Sequence, residues 1–207
     1  YHPASDVFTH INQTSKEGKA MDNWVSAIVG DTEGNIWVII PDQGIFRYKD
    51  TELYFYEISN RRQFKQESPN CICVRDNGEV WIGFWGLGLC RYNPQKDSFE
   101  QFSEDRDGRP LVGKNINSIC EHGDWLIMAV NDGELMKYNT KSHVLEDIKV
   151  AGADNTFYTT VAYMKGKIWL GTFNGLYVID EKKNEVVSLK EDLMRSFSLS
   201  LIHISEP

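Results

Sequence analysis

Cysteine is scarce in this chain of 207 residues, with Cys71, Cys73, Cys90 and Cys120 the whole complement. Four thiols are too few for a disulfide scaffold of this length. The Cys-x-Cys pair is too tight and isolated for a zinc ribbon, so buried structural thiols are expected. Basic residues are also outnumbered, 22 Lys and Arg against 30 Asp and Glu, for a formal charge of −8. They form no cluster that could neutralise a phosphate backbone, which argues against nucleic acid as a partner. No apolar run reaches the ~18 to 20 residues that a membrane-spanning helix needs, and no stretch has the pattern of a secretory leader. In a chain that opens on Tyr1, a missing leader says nothing about location. A 3.6-residue apolar period with caps is missing too, so helix content is expected to be close to none. What remains is 41% apolar and 25% charged, ordinary globular composition that excludes a disordered chain.

The aromatic residues carry the first positive signal. Trp37, Trp81, Trp125 and Trp169 follow one another at intervals of 44 residues, a period typical of stacked repeats. Three of them close the phrases Gly34-Asn35-Ile36-Trp37, Gly78-Glu79-Val80-Trp81 and Gly166-Lys167-Ile168-Trp169. The third repeat reads Gly123-Asp124-Trp125-Leu126, so its glycine places Leu126 in the tryptophan position and Trp125 one residue off. Because a slip of one residue reverses the face of a strand, the glycine frame is taken and Leu126 is expected to stand in for tryptophan.

Each repeat has the same physical script. A short apolar run (Val25 to Val29, Cys71 to Val74, Ile116 to Cys120, Thr159 to Tyr163) leads to an Asp/Asn/Gly turn, then to the strand with the tryptophan. Gly44, Gly88, Gly133 or Gly175 opens a third strand, a polar turn such as Asn93-Pro94-Gln95-Lys96-Asp97 follows, and Leu53 to Tyr56 or Phe99 to Phe102 makes a fourth. Four short antiparallel strands per 44 residues describe one propeller blade. The predicted fold is therefore all-β, a partial β-propeller with blades at about 24–58, 69–103, 115–148 and 157–189. Tyr1 to Phe8 overlays Tyr92 to Phe99, which makes Val7 to Ile11 the outer strand of a preceding blade and residues 1–198 an arc of a larger ring. Residues 199–207, Leu199 to Pro207, resemble the translated end of a sequencing-library adapter, a scar outside fold reasoning. Read as protein, Phe197 to Ile202 is instead the inner strand of a fifth blade. In either case Trp37, Trp81 and Trp169 are expected to be mostly buried between neighbouring blades.

The phrases Asp76-Asn77-Gly78-Glu79-Val80-Trp81-Ile82-Gly83 with Gly88-Leu89-Cys90-Arg91-Tyr92, and Lys167 to Thr172 with Gly175-Leu176-Tyr177, resemble the two-component regulator propeller repeat. The resemblance covers roughly residues 1 to 190. It departs where Ile39-Ile40 replaces Gly-Thr, where Leu126 to Ala129 replaces Trp-x-Gly-Thr, and where Ile179 replaces tyrosine. It implies the extracytoplasmic sensor of a hybrid two-component system, periplasmic and anchored in an inner membrane. The remaining blades and a downstream histidine kinase would then be partners in the same chain, with homodimerisation as a further expectation. No cofactor is implied, and the implied ligand is an oligosaccharide or another small molecule.

Ligands of propellers usually meet the end that carries the turns between strands two and three and the links between blades. Trp85 sits in such a turn between Gly83 and Gly86, where an indole can stack on a sugar or pack between blades. Asn131 and Phe173 occupy the matching turns of later repeats. Arg61, Arg62 and Lys65 in one link, and Arg109 in the next, can read sulfates or carboxylates or can serve as solvated loop charge. No catalytic or metal-ligating residue is expected. The Asp-x-Gly-x-x-Trp spacing at Asp76 matches a sialidase Asp-box, but Val74 and Val80 replace its hydroxyl residues. Asp105-Arg106-Asp107-Gly108 fails as a calcium loop because Ile116 stands where glutamate belongs. Ser142-His143 lies in a turn and reads as surface. The enzymatic alternative is a carbohydrate-active or streptogramin-lyase-like propeller, for which no carboxylate pair at ~5 to 9.5 Å stands out.

Overall fold

Runs of four to seven residues rich in Ile, Val, Trp and Tyr, broken by Asp, Asn and Gly, favour strands joined by tight turns. The computed structural model describes residues 14–57, 67–131, 133–153, 156–183 and 185–189. The strand expected at Val7 to Ile11, the adapter-like tail and Arg61, Arg62 and Lys65 lie outside these residues. The regular elements described are all strands. The first sheet holds β1 (Ala27–Gly30), β2 (Ile36–Ile40), β3 (Gly44–Lys49) and β4 (Glu52–Tyr56). The second holds β5 (Ser68–Val74), β6 (Val80–Trp85), β7 (Leu89–Asn93) and β8 (Ser98–Phe102). β9 (Ile116–His122), β10 (Trp125–Val130), β11 (Glu134–Asn139) and β12 (Leu145–Ile148) form the third, and β13 (Tyr158–Met164), β14 (Lys167–Thr172), β15 (Gly175–Asp180) and β16 (Glu185–Ser188) the fourth. Every sheet is a four-stranded antiparallel meander in chain order. Four such meanders packed face to face are four propeller blades.

The hairpin chemistry is local. Asp31 accepts the backbone N–H groups of Glu33 and Asn35 at 3.0 and 2.9 Å, the Asn35 amide at 2.8 Å and the Trp37 indole N–H at 2.8 Å. One carboxylate thus closes the turn and fixes the tryptophan. Gly88 has φ 82°, and a Cβ there would clash with the Leu111 carbonyl oxygen, so only glycine fits at this crossing of blade and link.

Between blades the core is continuous. Trp37 and Ile39 pack on Val80, Ile82, Phe84 and Cys90 of the second blade. Trp81 packs on Leu126, Met128, Met136 and Tyr138 of the third. Each tryptophan therefore faces the following blade. A cation covers it from the adjacent strand, Arg47 over Trp37 at 5.3 Å, Arg91 over Trp81 at 5.5 Å and Lys137 over Trp125 at 5.0 Å.

Two expectations are corrected here. Leu126 does not stand in for tryptophan, because with Met128 it faces back onto Trp81, whereas Ile127 and Ala129 face the fourth blade. Strand alternation puts Trp125 on the Ile127 side, so the 44-residue count, and not the glycine, gives the right face. Trp169 is half-buried but does not lie between two described blades: it joins Val178 and Val187 in a cross-strand row on the outer face of the fourth blade, which no described residue covers. Trp37 and Trp81 are fully buried, as expected.

All four cysteines are free thiols. Burial raises Cys71, Cys90 and Cys120 to about 12 and Cys73 to about 11. Arg75, which sequence reasoning passed over, clamps the second blade to the third. It donates to Glu79 at 2.6 Å, Glu121 at 3.1 Å, Thr140 at 2.9 Å and the Gly123 carbonyl at 2.6 Å.

Candidate functional site

The innermost strand of three blades carries a β-bulge at the same place. Pro69 pairs with Phe84 and Cys71 with Gly83, leaving Asn70 unpaired; Asn117 and Thr159 are left out likewise in the third and fourth blades. A bulge aims its extra residue out of the ladder. Here it places Asn70, Asn117 and Thr159 around one end of the blades, with Ser26 at the start of β1 completing the row. The residues at the ends of β6, β10 and β14 occupy the same level. Two of them, Asn131 and Phe173, come just after their strands, and the third, Trp85, is the last residue of β6.

The result is an open cleft of about 560 Å³, within the range of ligand pockets. Its aromatic walls are Trp24, Trp85, Phe157 and Phe173, between 40% and 74% exposed. Phe157 and Phe173 meet at 5.4 Å, and the Phe173 N–H donates to the Phe157 carbonyl at 3.1 Å. The floor is made of amides and hydroxyls that link one blade to the next. Ser26 donates to the Asn70 carbonyl at 3.2 Å, and the Asn70 amide to the Ile116 carbonyl at 3.1 Å. The Asn117 amide donates to the Tyr158 carbonyl at 2.7 Å and, by a short bond, to the Asn131 side-chain oxygen. Trp85 donates its indole N–H to the Asn117 oxygen at 3.0 Å, which fixes the ring at the rim. The turn behind it is tied to the next link, where the Gly86 N–H reaches Asn115 Oδ1 at 2.9 Å.

Of the residues singled out from sequence, the fold brings Trp85, Asn131 and Phe173 into this cleft. Arg109 does not line it, since its guanidinium is paired with Asp147 of β12 at 2.6 Å. Trp24, Phe157, Asn70 and Asn117 were missed. The asparagines left a faint signal, a polar residue near the start of the first strand in two successive repeats.

A second cleft of about 660 Å³ lies at the opposite end between the first two blades, lined by Arg47, Arg91, Asp31, Glu79 and Asp97. The charges of these five side chains are engaged internally. Asp97 accepts from Arg47 at 3.1 Å, Tyr56 at 2.7 Å and Tyr92 at 2.5 Å, and Glu79 accepts from Arg75, Arg91 and Trp81. Burial raises the Asp97 and Glu79 carboxyl groups, but these donors reverse the effect and hold both below the ordinary carboxylate range. Burial and the hydrogen bond to Asp97 push the Tyr56 phenol well above its ordinary value. Such internal networks hold blades together.

No family model matches the chain, and no curated protein matches it. Solved structures do. One named as the extracellular domain of the one-component system BT4673 from B. thetaiotaomicron matches with TM-score 0.65 and 17% identity, over 82% of this chain and 25% of that one. The extracellular domain of the hybrid two-component system BT3049 from the same organism matches with TM-score 0.66 and 17% identity, over 81% and 24%. YCF48 from Cyanidioschyzon merolae matches with TM-score 0.59 and 13% identity, over 80% and 53%. The chain spans about a quarter of the two B. thetaiotaomicron domains. At these identities the likeness establishes the fold, a partial β-propeller.

Proposed function

We propose that these blades are the ligand-sensing part of an extracytoplasmic sensor in two-component signalling, and that the aromatic cleft receives an oligosaccharide. One observation carries the ligand reading: exposed indole and phenyl rings stand around a floor of amides and hydroxyls at the end where blade links converge. Rings stack on the apolar faces of sugars, and amides satisfy hydroxyls, so the two together supply affinity and orientation. The signalling reading is supported by the fold shared with the extracellular domains of BT4673 and BT3049, and by the repeat phrases around Trp81 and Trp169. Phosphotransfer belongs to a histidine kinase elsewhere in the same chain, and the membrane-anchored part lies outside these residues. The described lining of the cleft supplies aromatic and amide groups, the chemistry of binding rather than of bond cleavage.

Calorimetric titration of the full chain with an oligosaccharide panel tests the reading. A member of the panel should bind, and Trp85→Ala should weaken it at least tenfold. Affinity unchanged in Trp85→Ala and Phe173→Ala would remove the ligand from this cleft.

A further inference from the structure

In a chain with one residue in four charged, the nine described residues that line the cleft include none with a charge. From this we infer that the cleft selects a neutral saccharide over a sulfated or uronate one, and that Asn70 and Asn131 are its hydroxyl-reading residues. The inference rests on the ligand-binding reading above and specifies its chemistry. An anion entering such a cleft loses hydration and meets no cation among the described lining residues, a cost that hydrogen bonds from neutral amides do not recover in full. Arg109, the described cation that sequence reasoning offered for that role, already has its carboxylate partner in Asp147.

The amides divide the work. Asn117 is spent on the protein, since its oxygen accepts from Trp85 and its nitrogen donates to Tyr158 and Asn131. It is a positioning residue that ties the second, third and fourth blades together. Asn70 uses its nitrogen on the Ile116 and Asn117 carbonyls, at 3.1 and 3.4 Å, and keeps its oxygen free. Asn131 is the reverse, with its oxygen taken by Asn117 and its nitrogen free. One open acceptor and one open amide donor line the same cleft as Trp85 and the Phe157–Phe173 pair, and match hydroxyls of a sugar whose faces lie on the rings.

The test uses the full chain, a panel of neutral gluco-, manno-, xylo- and arabino-oligosaccharides, and sulfated and uronate oligosaccharides of the same length. A neutral member should bind with an affinity that stays flat between 50 and 500 mM salt, because no ion pair is there to be screened (~10 Å Debye length at 0.1 M). Asn131→Ala and Asn70→Ala should each weaken it about three- to tenfold, as expected for one net hydrogen bond, in variants that circular dichroism shows to be folded. Neutral binding untouched by either asparagine variant overturns their assignment as readers. Binding of a sulfated or uronate member that is lost in Trp85→Ala overturns the selection for neutral ligands while leaving the cleft a saccharide site. Binding of no member overturns both this inference and the ligand reading on which it rests.

Discussion

Trp81 and Trp169 hold the same place in their blades but differ in what covers them, so truncating each separates burial from identity. Trp81 is 0% exposed, with Phe102 at 4.9 Å, Tyr138 at 6.2 Å and the Arg91 guanidinium at 5.5 Å. A buried tryptophan removes ~200 Å² from water, which at about 25 cal/mol per Å² is ~5 kcal/mol, an upper figure because the unfolded chain already buries part of it. Trp81→Ala should therefore cost ~3 to 5 kcal/mol, in line with large-to-small core substitutions. Trp169 has one face on its own sheet and the other uncovered by any described residue, so Trp169→Ala should cost about half as much, ~2 kcal/mol. Urea melts followed by far-UV circular dichroism compare the two through their midpoints at constant slope. Equal costs for the two substitutions would refute the argument, since they would mean that the outer face of the fourth blade is covered in solution as fully as that of the second.

Three further outcomes follow from named groups. Arg75→Ala should destabilise by ~3 to 5 kcal/mol, because it removes the donor shared by Glu79, Glu121, Thr140 and the Gly123 carbonyl at a blade junction, whereas Arg109→Ala removes a half-exposed pair with Asp147 and should cost ~1 kcal/mol or less; thermal melts of both variants check this. Asp31, Glu79 and Asp97 are held below their ordinary values of 3.8, 4.5 and 3.8, so the stability they contribute is complete above that range and is lost as pH falls through their lower folded values; denaturant melts from pH 6 to pH 2.5 should decline only below about pH 4.5, and a loss beginning near pH 6 would contradict the assignment. With thiol pKa values raised to about 11 or 12 by burial, the four cysteines should be silent to a thiol reagent at pH 8 and all react once urea unfolds the chain.

The blades were legible in the sequence because their signals are local. A tryptophan every 44 residues, a glycine that only a tight turn or a close crossing requires, and Asp or Asn at the turn each act within a few residues of where they stand. The error at Leu126 shows where that legibility ends. The turn glycine and the bulge are both anchors, and in the third blade they disagree by one residue: Gly78 and Gly166 precede the residue paired just inside the bulge by five positions, whereas Gly123 precedes Ala129 by six. Alternation then decides which side chain faces forward, and it is set by pairing across β9 and β10 rather than by the turn. Trp169 marks a different limit. Its half-exposure depends on what lies against the fourth blade, and nothing in its own repeat encodes that.

The cleft was half legible for the same physical reason. Trp85 and Phe173 announce themselves because an aromatic in a turn is costly to expose, and a residue that costs something invites a functional reading. Asn70 and Asn117 cost nothing in sequence terms. An asparagine at a strand end is ordinary turn chemistry, and only the bulge turns it from a ladder member into a side chain facing the cleft. The bulge also couples the two roles of this end of the molecule. The Asn117 amide that fixes the Trp85 ring is the one that bonds to the Tyr158 carbonyl of the next blade, so an occupant that displaces Trp85 pulls on a junction between blades. The proposed sensing role needs such a coupling, because a ligand changes the state of a protein only through contacts that differ between the states.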